Sequence, residues 1–176
     1  MSKRMKKFLL IGLVGILLGG CTSGQMSQAK ITTSQFDNSK NINAREMPAL
    51  SKDKWHPSNV FFGARWTDRA PQLVVLEVKY MHEYQNLNKL SFNVDGEIFE
   101  AQKLNMTDLE RNQYYKASKA PYVITVNQAK KILNARNAKF RITTLSGQYT
   151  DGAIVLNSDK SMAYQSISNV VQAIPN

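Results

Sequence analysis

The chain has 176 residues, of which 43% are hydrophobic, with one Cys, two His and a formal net charge of +10. This length suits one ordinary domain, and the apolar content excludes a chain that is disordered throughout. A single Cys excludes an internal disulfide framework, and the few His and Cys side chains argue against a zinc site, so we expect no metal and no cofactor.

The first 21 residues have the pattern of an export signal. A basic start is followed by an apolar stretch over residues 8–18, which is shorter than the roughly 20 residues that span a bilayer. The stretch ends in Leu18-Gly19-Gly20-Cys21. This segment resembles the lipobox of bacterial lipoprotein precursors, in which Leu and two small residues precede a Cys.

The resemblance implies that residues 1–20 are a signal peptide, cut between Gly20 and Cys21, and that the thiol of Cys21 is diacylated. Two or more acyl chains hold a domain stably on a membrane. In such proteins of Gram-negative bacteria, Asp directly after the lipidated Cys tends to retain the protein in the inner membrane. Thr22 occupies this position, so it resembles a signal for sorting to the outer membrane. We therefore expect a periplasm-facing, lipid-anchored protein.

The lipidated Cys precedes a polar stretch. Residues 22–50 are rich in Ser, Thr, Gln, Asn and Lys, a composition typical of a flexible linker. We predict a tether over residues 21–52, able to hold the domain some tens of ångströms from the membrane. A single domain is then expected over residues 53–176.

The first half of that domain alternates apolar and polar residues. Residues 60–66 and 74–80 predict two strands. Asp95-Gly96 lies between two further alternating runs and predicts a two-residue hairpin turn, because both turn positions need positive φ. This turn pairs Val94 with Glu97 and Phe92 with Phe99.

The second half combines helices and strands. Residues 105–121 are interpreted as a loop or a short helix. Thr125 and Gln128 form a capping-box pattern at a helix start, and Asn137 suits a left-handed helix end. Residues 140–143 and 148–156 predict a strand pair joined by Ser146-Gly147, and Asp159 is expected to cap a last helix.

The order of these elements predicts an α+β domain. Hairpin-linked strands with segregated helices favour an antiparallel sheet of about five to six strands, with two helices packed on one face.

No catalytic set can be assembled from these residues. His56 has no nucleophile motif around it, and His82 is interpreted as an ordinary strand residue. Glycoside cleavage needs two facing carboxylates, but Glu97 and Glu100 fall on opposite faces of one strand. We therefore expect that the protein is not an enzyme.

Positive charge is concentrated in one window. Residues 111–150 contain eight Lys or Arg and no Asp or Glu. A focused positive field attracts anionic partners, although a scattered, solvated basic face is an equally simple interpretation. The candidate contacts to an anionic partner, with two neighbouring tyrosines, are Arg111, Tyr114, Tyr115, Lys116, Lys119, Lys130, Lys131, Arg136 and Arg141.

Three functions are compatible with this sequence. The first is a non-enzymatic binding or accessory domain that docks onto another envelope protein or an anionic envelope component, with no nucleic acid involved. The alternatives are a hydrolase of an envelope polymer and a carrier of a small or lipidic ligand. A deep pocket, and the polarity of its lining, would separate the alternatives from the first.

Overall fold

The computed structural model describes residues 27–51, 57–111 and 113–175. The elements, in chain order, are β1 (Lys30–Thr33), β2 (Lys40–Ser51), β3 (Pro57–Thr67), β4 (Leu73–Met81), β5 (Leu87–Val94), β6 (Glu97–Lys103), β7 (Asp108–Arg111), β8 (Lys116–Thr125), α1 (Val126–Asn134), β9 (Ala138–Thr144), β10 (Tyr149–Leu156), β11 (Asp159–Lys160) and α2 (Met162–Ala173).

Eight of these strands close into an antiparallel barrel. The hydrogen-bonded order is β2, β3, β4, β8, β6, β5, β9 and β10, and β10 pairs back onto β2. The three short strands β1, β7 and β11 extend this wall by pairing with β2, β8 and β10. The predicted α+β sheet with two helices on one face is therefore wrong. The sequence pattern did not reveal the closure because an open sheet and a closed barrel have the same alternation of apolar and polar side chains.

Aromatic rings fill the barrel interior. Phe62 packs edge-on against Phe140, with ring centroids 4.9 Å apart, and lies near Phe92 at 6.3 Å. The predicted hairpin is confirmed, since Val94 pairs with Glu97 and Phe92 with Phe99. The interior is therefore a packed core rather than an open channel.

Both helices lie at one end of the barrel, which we call the helix end. The capping box that opens α1 is confirmed, because the Thr125 hydroxyl accepts the N–H of Gln128 and the Gln128 side chain accepts the N–H of Thr125. The buried face of α2 packs against β2 and β3. The opposite end, where β4 and β9 finish and β5 and β10 begin, is called the mouth.

Two predicted helix signals are corrected. The N-cap of α2 is Ser161, whose hydroxyl accepts the N–H of Tyr164 at 3.0 Å, because Asp159 is already engaged in β11. Asn137 does not have the left-handed conformation, and its side chain instead accepts the N–H of Asn157 at 2.9 Å.

The prediction that His82 is a strand residue is also corrected, because His82 lies just beyond the end of β4 and has a φ of 75°.

The tether prediction is wrong from residue 30 onward, because residues 30–33 and 40–51 form β1 and β2. Two of the four buried side chains of β2, Ala44 and Ala49, are small, and a bulge between Ala44 and Met47 shifts the alternation by one residue. Both features obscure the alternation of apolar and polar residues by which a strand is recognised in a sequence.

The loop or short helix predicted for residues 105–121 is also wrong. Residues 108–111 form β7 and residues 116–121 are the first part of β8, a strand of the barrel, whereas residues 105–107 and 113–115 are outside the strands as expected of loops. Ala117, Ala120 and Pro121 weaken the apparent strand preference. Pro121 is tolerated because it lies where β8 changes partner from β6 to β7.

Candidate functional site

The lip of the mouth unites part of the predicted contact set. At this end β7 replaces β6 as the neighbour of β8, and Arg111 lies directly opposite Lys116. Directly opposed residues share a face of a sheet, and Leu109, opposite the inward Ser118, belongs to the same face. Arg111 and Lys116 are exposed, and Lys116 lies over the ring of Tyr84 at 5.6 Å. We define the lip as residues 82–86, 104–111 and 113–118.

The two predicted tyrosines follow in the turn between β7 and β8. Tyr114 is 83% exposed, whereas the ring of Tyr115 is half-buried with the ammonium of Lys79 at 5.2 Å from its centroid. Of the two tyrosines, Tyr114 is therefore the one whose side chain is largely exposed to solvent.

Lys119 is not available for a partner, since it belongs to an ion-pair network on the outer wall. Its ammonium lies 2.5 Å from a carboxylate oxygen of Glu46, and Lys79 lies 2.6 Å from one of Glu110. Burial lowers the pKa of Lys119, but the hydrogen bond to Glu46 together with the charges of Glu46, Glu77 and Glu110 outweighs this effect and raises that pKa overall. Gly63 lies close beneath this network, since a Cβ there would stand 3.0 Å from the carbonyl oxygen of Ala44 and 3.2 Å from the Glu46 side chain.

The remaining cations of the window lie elsewhere. Lys130 and Lys131 are on α1 and Arg136 follows it, all at the helix end, and Lys131 is paired with Glu97 at 2.7 Å. Arg141 lies on the side wall in a bidentate pair with Asp151, beneath the ring of Tyr149. The basic window therefore does not form one continuous patch, and only its lip portion gathers at the mouth.

A cleft of about 390 Å³ opens at the mouth. Buried Leu87 and Ile142 line its base, and polar groups surround them. The complete lining is Tyr80, Glu83, Gln85, Leu87, Ile142, Thr144, Gly147, Gln148, Tyr149 and Thr150. Mouths of β-barrels are recurrent ligand sites, and this volume is at the small end of their range.

Lys103 fixes one edge of this region. Its ammonium donates hydrogen bonds to the carbonyl of Leu87 and, at 3.1 Å, to the hydroxyl of Thr107. Burial lowers the pKa of Lys103. The side chain thus ties the loop after β6 to the start of β5, a role that its sequence neighbours did not indicate.

Exposed apolar side chains concentrate at the mouth, and of these only Tyr114 is in the predicted contact set. Among the described residues, eleven large hydrophobic side chains are exposed, and seven of them lie at or beside the mouth. These seven are Tyr84, Leu104, Met106, Leu109, Tyr114, Leu145 and Tyr149. They come from three separate stretches of the chain, around residue 84, within residues 104–114 and within residues 145–149, so no local pattern could reveal the whole set.

Several predicted features lie outside the described residues, namely the lipobox with Gly20 and Cys21, and His56. Within the described part of the chain, neither helix has the length and apolar character needed to cross a membrane. Over the same residues, no three His, Cys, Asp or Glu side chains are grouped as a metal site. Comparison of the chain with protein-family models, curated proteins and solved structures gives no match.

Proposed function

We propose that this chain is a lipid-anchored lipoprotein of the bacterial cell envelope, whose barrel binds another envelope protein without catalysing a reaction. The single observation that carries the binding role is the gathering of seven exposed apolar side chains at the mouth. Exposed apolar clusters on a soluble domain mark interaction sites.

The composition of the mouth favours a protein partner with acidic side chains. Tyr, Met and Arg are enriched in protein interfaces, and all three are present among the exposed residues of the lip. Arg111 and Lys116 have no carboxylate within ion-pair distance among the described residues, so both can meet an anionic group. Glu83, the nearby acid, accepts a hydrogen bond from Gln85 at 2.8 Å.

The same geometry gives less support to the two alternatives. Among the described residues that line the cleft, Glu83 is the single carboxylate, whereas cleavage of a glycan between two carboxylates needs a pair. The cleft at the mouth, at about 390 Å³, suits a small ligand, so the mouth itself gives little support to a carrier for a lipid. A larger groove of about 700 Å³ lies on the side wall beside the Arg141–Asp151 ion pair.

The test compares two charge-reversal variants by in-cell crosslinking and affinity capture from solubilised envelopes. Arg111→Glu with Lys116→Glu alters the lip. Arg136→Glu with Lys139→Glu makes the same charge change at two exposed positions away from the mouth. We expect one protein to be captured stoichiometrically by the wild type and the control, and about ten-fold less by the lip variant, as two lost interface cations imply.

Leu109→Asp places a charge in the apolar part of the lip and should weaken capture similarly. Equal capture by all variants would refute the lip as the binding surface. If the acylated wild type captures no protein, the binding role itself fails, and native mass spectrometry of the purified protein then tests the cleft for a small ligand.

A further inference from the structure

The chain between the proposed anchor and the ordered domain is short. Ser27, the first described residue, is held on α2, where Asn169 donates a hydrogen bond to its carbonyl at 2.7 Å. Only six residue steps separate Ser27 from Cys21. Six residues reach at most about 20 Å when fully extended.

This reach is smaller than the domain. A compact unit of this length has a radius of gyration of about 15 Å and is therefore about 40 Å across. An acyl anchor on Cys21 would hold the α2 side of the barrel within about 20 Å of the bilayer surface. Some part of the helix end must then lie close to the membrane.

The loop between β1 and β2 presents the most exposed apolar side chain at that end. Phe36 is 97% exposed, on the hairpin that directly follows the anchored segment. Ile31 on β1 is 53% exposed and Leu73 at the start of β4 is 37% exposed. All three lie at the end of the barrel opposite the mouth.

The exposure of Phe36 is imposed by a well-bonded turn. The N–H of Ser34 donates to the carbonyl of Ser39 at 2.8 Å, and the N–H of Asn38 donates to the carbonyl of Ser34 at 2.9 Å. Asp37 is ion-paired with Arg69, and the N–H of Lys40 donates to Asp68 at 2.9 Å. These bonds fix the hairpin to the turn between β3 and β4, so Phe36 is held away from the core.

Positive charge accompanies these apolar side chains. Lys30 and Lys130 are exposed at the same end and have no carboxylate within ion-pair distance among the described residues. Lys130 borders a second cleft together with Pro71 and Gln72 of the turn that holds the hairpin. An exposed aromatic ring at an end of the barrel that also carries exposed Lys side chains suits the interface of an anionic bilayer.

We infer that the helix end docks on the membrane that holds the anchor, with Phe36 inserted among the lipid headgroups and the mouth turned away from the bilayer. This inference rests on the proposed lipidation of Cys21. It assigns a fixed orientation to the domain in place of a long, free tether. The binding surface at the mouth then faces the periplasmic space.

The acylated full-length protein allows a direct test. Cys21 is the only cysteine and its sulfur is consumed by the acyl linkage, so an introduced cysteine is the only free thiol. Phe36→Cys and Met106→Cys are labelled with an environment-sensitive fluorophore; Met106 is 85% exposed at the mouth end and is the matched control. Each is reconstituted into vesicles of phosphatidylethanolamine and phosphatidylglycerol.

We expect a blue-shifted emission at position 36, quenched by nitroxide-bearing lipids, and a water-like, unquenched emission at position 106. The shift at position 36 should weaken in vesicles of zwitterionic lipid alone and in Lys30→Glu with Lys130→Glu. Water-like emission at both positions, in protein whose acyl mass is verified, would overturn the docked orientation while leaving the lipoprotein proposal intact. Absence of the acyl mass from wild-type protein would instead refute the proposed anchor.

Discussion

Gly152 lies at the seam that closes the barrel, where a side chain has no space. It is paired with Phe140 on β9 and with Ser51 on β2. A Cβ at this position would stand 2.4 Å from the ring of Phe140 and 2.8 Å from the carbonyl oxygen of Leu50. Ordinary contacts of a Cβ begin near 3.4 Å, so the ring would have to retreat by about 1 Å.

That retreat is resisted on both sides. The Phe140 ring is packed edge-on against Phe62 at 4.9 Å, and the Leu50 carbonyl belongs to the strand across the seam. Overpacking of a core costs about 1–3 kcal/mol, and a clash with backbone as well as a confined ring favours the upper part of that range. Gly152→Ala should therefore lower the melting temperature by about 6–12 °C, at about 2–4 °C per kcal/mol.

Ser51 supplies a matched control at the facing position. Its hydroxyl is buried and has no hydrogen-bond partner in the described structure. Ser51→Ala removes this unpaired group, so its melting temperature should equal or exceed that of the wild type. Each substitution changes the same seam by one heavy atom, one added and one removed, and the two are expected to act in opposite directions.

Thermal unfolding followed by circular dichroism measures both variants. The double variant Gly152→Ala with Phe140→Leu should be more stable than the sum of its single effects, because the shorter side chain makes room for the new Cβ. If Gly152→Ala melts within about 2 °C of the wild type, less than 1 kcal/mol has been lost and the described seam is wrong.

Three further predictions follow from single side chains. Burial raises the pKa of Glu46, but hydrogen bonds from Lys119 and its own backbone, together with the charges of Lys119 and Lys79, outweigh this effect and lower the pKa overall. The pair therefore stabilises the fold above pH 4.5, and this contribution is lost as pH falls further. Glu46→Gln should therefore unfold with a shallower acid dependence, measured by urea titration at several pH values, and an unchanged slope would contradict the pairing. Thr125→Ala should cost about 1 kcal/mol by removing the capping box, seen as a drop of about 2–4 °C in melting temperature, whereas no drop would show that the cap is dispensable. Burial raises the pKa of the Tyr122 phenol above its ordinary value, so one tyrosine should ionise later than the others in an alkaline absorbance titration, and Tyr122→Phe should abolish that late step.

The local sequence is sufficient to predict a structural element wherever one short segment contains all the residues that determine it. The Asp95-Gly96 turn sets the pairing of Phe92 with Phe99, because two adjacent residues with positive φ fix the register of both flanking strands. Thr125 and Gln128 mark the start of α1 for the same reason, since both partners of the capping box lie within one turn.

The tertiary structure decided what depends on distant segments. Closure of the barrel needs the pairing of Ala153 with Leu50, about a hundred residues apart, and no local alternation distinguishes it from an open sheet. Burial in that barrel also explains why Ala117 and Ala120 belong to a central strand despite a weak strand preference.

Some features of the candidate site could likewise be predicted from the sequence, whereas others depended on the fold. Composition identified a basic window, and the lipobox resemblance predicted an anchor on Cys21, because each signal is contiguous in the chain. Only the fold separated the window, pairing Lys119 with Glu46 on the outer wall and placing Arg111 and Lys116 in exposed positions at the lip. Charge along a sequence is additive, but the availability of a charge depends on which side chain the folded strands place beside it.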